Sequence, residues 1–169
     1  MRVGKLARNS LLLCACLAAG AALAQDKPLP AEDQLAIQQL IAGYAQSLDG
    51  GDADAYADKF VRDGVVEWAN GRVAGRDEIR KWVKGLMRGG IGATPAQVRH
   101  LVNVPYIKGG GSRVTAHTYV VIFGLNKAGA VNVPSVASYE DTIVKVNGQW
   151  LFEKRVMRAD MGVFGRRDD

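Results

Sequence analysis

The chain has 169 residues and a formal net charge of +5, a length that suits one domain with a real core and not two. Three of the excess positive charges (Arg2, Lys5, Arg8) and both cysteines (Cys14, Cys16) lie in the first 24 residues, so the remainder carries only +2 and no thiol. Beyond that segment the composition excludes disulfide and cysteine chemistry and gives no sign of a nucleic-acid surface.

Residues 1–24 read as a secretory signal peptide. A positive start is followed by the apolar run Leu11 to Leu23, which ends in the small-x-small pattern Ala22-Leu23-Ala24. A run this short falls below the roughly 20 apolar residues that a spanning helix needs. Export to the periplasm or the medium is the expected destination. The Leu13-Cys14-Ala15-Cys16 run resembles a lipoprotein site only loosely, because Cys14 is out of place there and the apolar stretch continues past Cys16.

Residues 25–30, with Pro28 and Pro30, form a linker to a domain over 31–161. A helix is predicted from Ala31 to about Leu48, with Leu40, Ile41, Tyr44, Ala45 and Leu48 at helical spacing. Gly50-Gly51 stops it, and Asp52 can cap a second helix through Phe60. Val65 to Ala69 and Arg72 to Ala74 read as a hairpin about Asn70-Gly71, and Arg76 to Arg88 as a third helix. Gly89, Gly90 and Gly92 break the chain before Pro95. Strands are then expected over Val98 to Ile107, Val114 to Leu125, Ser135 to Val146 and Gln149 to Met161, with turns at 109–112 and 147–148. Residues 162–169 read as a flexible, solvated tail. Helices first and long strands after argue an α+β domain, with helices on one face of a curved antiparallel sheet.

Few residues are placed for chemistry. His100 shares a strand face with Val98, Val102 and Val104, so it points inward, either as a core histidine bonded to backbone or as a base. His117 alternates with Thr115 and Tyr119 and reads as sheet surface or an interface between copies. Asp49 follows Ile41 and Ala45 at four-residue spacing, at a helix C-terminus where a negative charge costs about 0.3–1 kcal/mol. It either faces water in the loop or turns inward to hold a histidine, fixing its tautomer and raising its basicity. Tyr44 lies on the core stripe with a hydroxyl that needs a partner. Arg155, alternating with Leu151, Glu153 and Met157, is either a surface ion-pair partner or a pocket cation. No metal-ligand spacing, phosphate-binding glycine loop or nucleophile elbow occurs.

Ile37-Gln38-Gln39-Leu40-Ile41, Tyr44 and Leu48-Asp49-Gly50, with the acid-rich stretch ending at Phe60, resemble the opening of SnoaL-like domains of the nuclear transport factor 2-like superfamily. The run Asn147-Gly148-Gln149-Trp150-Leu151-Phe152-Glu153-Lys154-Arg155 is similar to that family's last hairpin. The resemblance implies a cone: a strongly curved antiparallel sheet whose N-terminal helices close a hydrophobic pocket. It is nearest to the branch holding scytalone dehydratase, bile-acid dehydratase and hexachlorocyclohexane dehydrochlorinase. It assigns Asp49 and His100 to the catalytic dyad of that branch, Tyr44 to the tyrosine of the bile-acid enzyme, and Arg155 to the arginine near the leaving group in the dehydrochlorinase. The second catalytic histidine of scytalone dehydratase has no counterpart. Trp68, Val102 and Tyr139 are expected on the wall that binds substrate. The implied activity is that of an exported dehydratase-like lyase or isomerase, without cofactor or metal, acting on a hydrophobic cyclic molecule. The same pocket also suits a non-catalytic binding or accessory protein. The expected partners are a small apolar molecule and further copies of the chain, as a dimer or trimer, and no nucleic acid.

Overall fold

A computed structural model describes residues 28–88, 98–125 and 128–161. The expected signal segment, the glycine break and the tail lie outside these residues. Pro30 precedes α1 (Ala31–Asp49), which carries Glu32 and Asp33 in its first turn, where the positive end of the helix dipole favours acids. Ile37, Ile41, Tyr44, Ala45 and Leu48 form its buried stripe. Gly51, at a left-handed φ of 74°, turns the chain out of the helix. Asp52 caps the five-residue α2 (Ala53–Ala57) by accepting the Ala55 N–H at 2.8 Å.

Here the expected second helix ends early. Phe60 opens β1 (Phe60–Trp68), because its fully buried ring packs on Phe152 with centroids 5.2 Å apart. The elements that follow are β2 (Gly71–Ala74), α3 (Arg76–Arg88), β3 (Val98–Val102), β4 (Tyr106–Gly110), β5 (Arg113–Leu125), β6 (Val131–Val146) and β7 (Gln149–Met161).

One seven-stranded sheet has the order β2-β1-β7-β6-β5-β3, with β4 also paired to β5. The sheet is mixed rather than antiparallel throughout, since β1 runs parallel to β7. No hairpin joins these two strands, so nothing local forces them to oppose. Register shifts interrupt the β1–β7, β5–β6 and β6–β7 ladders. Such bulges bend strands and increase twist, which curves the sheet around the helices without closing it.

The single strand expected from Val98 to Ile107 is two. Pro105 has no N–H for a ladder, and the chain steps away after Val102. Both pieces pair with β5, β4 along its first residues and β3 along its later ones. At the gap the Asn103 side-chain oxygen accepts the Tyr119 N–H at 2.8 Å, replacing a backbone acceptor.

The core lies between α1, α3 and the inner sheet face, where Ile37, Ile41, Phe60, Val66, Ile79, Val83, Ile143 and Phe152 are fully or almost fully buried. At its rim Asp33 accepts hydrogen bonds from Lys145 Nζ at 2.6 Å and Trp150 Nε1 at 2.8 Å, tying the start of α1 to the β6–β7 hairpin. These bonds, Lys145 first, hold the Asp33 carboxyl below its ordinary range. His117 sits on the outer face, edge-on to Tyr119 and away from α1.

Candidate active site

Asp49 is the last residue of α1, and its side chain turns inward. Its Oδ2 accepts the backbone N–H of His100 at 2.8 Å, and its Oδ1 accepts from His100 Nδ1 at 2.5 Å. The backbone bond recovers what a carboxylate loses at a helix C-terminus, and it pins that terminus to β3. Both side chains are nearly excluded from water, at 2% exposure for His100 and 7% for Asp49. With Nδ1 committed to Asp49, Nε2 is the ring nitrogen left to meet another group.

His100 borders a small cavity of about 10 Å³ whose wall includes Tyr44, Tyr56, Trp82, Leu86, Tyr139 and Met157. That volume is about the least that one water needs. As bounded by the described residues, the cavity is too small for a ring-sized guest. Three of the wall residues, Trp82, Val83 and Leu86, belong to α3.

Tyr44 stands at the centre of the aromatic wall. Its ring meets His100, Tyr56 and Tyr139 edge-on, at 6.4, 6.1 and 5.5 Å between centroids. Its hydroxyl is buried and makes no well-formed hydrogen bond, although Tyr139 is beside it. Burial, with the neighbouring Tyr139 phenol, raises the Tyr44 phenol well above its ordinary range, against the opposing pull of Arg155. Burial likewise pushes Tyr56 up to about 12 and raises Tyr139. All three are therefore hydroxyl donors and not bases.

Arg155, on β7, is completely buried, and it does not border the cavity. It is no surface ion-pair partner. Its Nε and Nη2 donate to the two carboxylate oxygens of Asp141, each at 2.8 Å. Burial works against its charge, but Asp141 more than offsets this and strengthens the guanidinium's hold on its proton.

The structure thus brings Asp49, His100, Tyr44 and Tyr139 to one place and sets Arg155 behind them. Trp68 and Val102, expected on the wall, are not on it. Trp68 stacks on the wall residue Trp82, 5.1 Å between centroids and 18° between planes. Val102 packs into the general core at half-buried depth. Face alternation tells which side of a strand is inside, but not which part of the inside is hollow. Tyr56, Trp82 and Leu86 escaped sequence reasoning as site residues because each fits an ordinary apolar stripe. Asp141 carried a signal, since it alternates with Tyr139 and Ile143 and therefore points inward. Among the described residues no group of three or more His, Cys, Asp or Glu side chains could hold a metal.

Comparison with known proteins fits this geometry. The family model of the SnoaL-like domain matches residues 30–156, and the chain belongs to that family. No curated protein matches. Solved structures do. A nuclear transport factor 2-like protein of cystatin-like fold from Novosphingobium aromaticivorans is 25% identical with a TM-score of 0.70, over 78% of this chain and 84% of that one. A candidate scytalone dehydratase from the same organism is 25% identical at 0.66, over 81% and 90%. A Catenulispora acidiphila protein in complex with S-DNPA is 26% identical at 0.67, over 78% and 96%.

Proposed function

We propose that this SnoaL-like domain is a lyase or isomerase that takes a proton from carbon in a hydrophobic, cyclic small molecule, using side chains alone. One observation carries the reading: a buried aspartate holds one nitrogen of a buried histidine, and that histidine borders an aromatic-walled cavity. The likeness to a candidate scytalone dehydratase supports the same class of reaction.

In this reading His100 Nε2 removes a proton from a carbon next to a carbonyl. The C–H electrons move onto the carbonyl oxygen. Asp49 keeps the ring oriented through Nδ1–H and stabilises the imidazolium that forms. The Tyr44 hydroxyl, held protonated by burial, donates to the oxygen that gains charge. Return of the electrons expels a group on the adjacent carbon, which is elimination, or draws the proton back at another position, which is isomerisation. An apolar wall strengthens each of these interactions by excluding water.

The test is exchange of carbon-bound hydrogen in heavy water. A panel of cyclic ketones with a leaving group next to the acidic carbon is incubated with the full chain and followed by NMR. The wild-type protein is expected to incorporate deuterium or eliminate faster than buffer, and His100→Ala to lose about 10²–10⁴-fold of that rate. Equal rates in wild type and a folded His100→Ala would contradict the proposal.

A further inference from the structure

Arg155 is the one fully buried cation among the described residues, and two of the aromatic rings that flank it, Tyr44 the nearer, stand on the cavity wall. Its Cζ lies 3.9 Å from the centroid of Tyr44, with Phe152 at 4.3 Å and Tyr139 at 4.5 Å. Tyr44 and Tyr139 border the cavity and Arg155 does not. The two-pronged bond to Asp141, itself 2% exposed, fixes the plane of the guanidinium as well as its position. Removing this fork would free the guanidinium to leave the ring.

We propose that Arg155 is a positioning residue that acts through Tyr44, and that Asp141 anchors it for that purpose. The cation beneath the ring steadies the negative charge that gathers on the Tyr44 oxygen as the hydroxyl donates to a ligand. This rests on the role given to Tyr44 above, and it replaces the expectation that Arg155 meets a leaving group directly. A π face attracts a cation, more so when desolvated, and an electron-richer phenol ring attracts it further. Asp141 makes the cation tolerable in an apolar interior, where an unpaired charge is not.

The other titratable groups around Tyr44 do not supply this effect. Tyr56 approaches from α2 and Tyr139 from β6 as neutral phenols. The Asp49–His100 pair approaches from the junction of α1 and β3, and Asp141 is spent on Arg155. Burial and Tyr139 push the Tyr44 phenol up, and Arg155 opposes them.

The experiment replaces tyrosine in the full chain with 3,5-difluorotyrosine, whose phenol is more acidic, and follows fluorine NMR against pH. Tyr44→Phe identifies the Tyr44 signal. The double variant Arg155→Met with Asp141→Asn removes the cation without stranding a buried charge. In it the Tyr44 signal is expected to move and to titrate about 0.5–1.5 pH units higher than in the wild type. A signal with unchanged position and titration, in a folded double variant, overturns the proposal. Should that variant not fold, Arg155→Lys serves instead. A lysine keeps the charge but cannot both fork onto Asp141 and lie flat on Tyr44. A shift in the same direction supports the proposal and an unmoved signal overturns it. The readout needs no substrate, so it fails or succeeds separately from the deuterium exchange.

Discussion

Asp49 and Asp141 both lie on the inner side of the fold, both are nearly excluded from water, and each spends both carboxylate oxygens on one partner residue. Their partners differ. Asp141 faces a permanently charged guanidinium and takes two of its donors, and the guanidinium lies against Tyr44 and Tyr139, which border the cavity while it does not. Asp49 takes the backbone N–H and one ring nitrogen of His100, leaving a second ring nitrogen on a side chain that borders the cavity. A buried carboxylate is therefore no guide to chemistry by itself. What matters is whether its partner keeps an unspent, titratable atom and where that atom can reach.

Three changes probe this contrast. The largest effect falls on turnover at the dyad. Asp49→Asn can keep the backbone bond, but it presents no anion to Nδ1–H, so His100 loses its enforced tautomer. Deuterium exchange should fall by about 10²–10⁴-fold, the span of a lost general base, while urea denaturation shows a stability loss of only about 1–2 kcal/mol. A large stability loss with exchange preserved would merge the two carboxylates into one structural class. Next comes Asp141→Asn, with the opposite signature. Leaving the Arg155 charge buried without its anion should cost about 3–5 kcal/mol in the same denaturation, and the double variant with Arg155→Met should recover much of it. The smallest effect belongs to the rim. Lys145 and Trp150 hold the Asp33 carboxyl below its ordinary range. Its bonds therefore stabilise the protein at neutral pH, and this contribution is lost as the pH falls through the folded-state value. The stability difference between wild type and Asp33→Asn should be visible at pH 7 and shrink in acid. A difference that grows in acid would contradict the assignment.

Much of this was legible in residue patterns, and the exceptions have physical causes. The stripe of α1, the amphipathic α3, the Asn-Gly turns and the inward face of His100 are local features, written within a few residues of one another. The pairing of Asp49 with His100 joins positions 51 apart. The misplaced acid at a helix C-terminus raised a histidine partner as one of two alternatives, and the family resemblance paired it with His100. The parallel β1–β7 pairing has no local signature, because residues near 60–67 meet residues near 152–156. Pro105 carried a signal of the break between β3 and β4, since a proline cannot donate to a ladder, but the alternation on either side of it reads as one strand from Val98 to Ile107. The role of Arg155 was the hardest to read. Alternation left it as either a surface ion-pair partner or a pocket cation, and only its burial and the stacking of its guanidinium on Tyr44, with Tyr44 on the cavity wall, separate a residue that meets ligand from one that acts through a neighbour.

The central claim is that Asp49 leaves His100 with a free Nε2. Long-range proton–nitrogen NMR correlation reads this directly in protein labelled with nitrogen-15 at histidine, with His117→Gln used to assign the two rings. In the neutral imidazole, His100 is predicted to carry its proton on Nδ1 and to show an unprotonated Nε2, and Asp49→Asn to disturb that preference. A neutral His100 protonated on Nε2 in the wild-type protein would contradict the account.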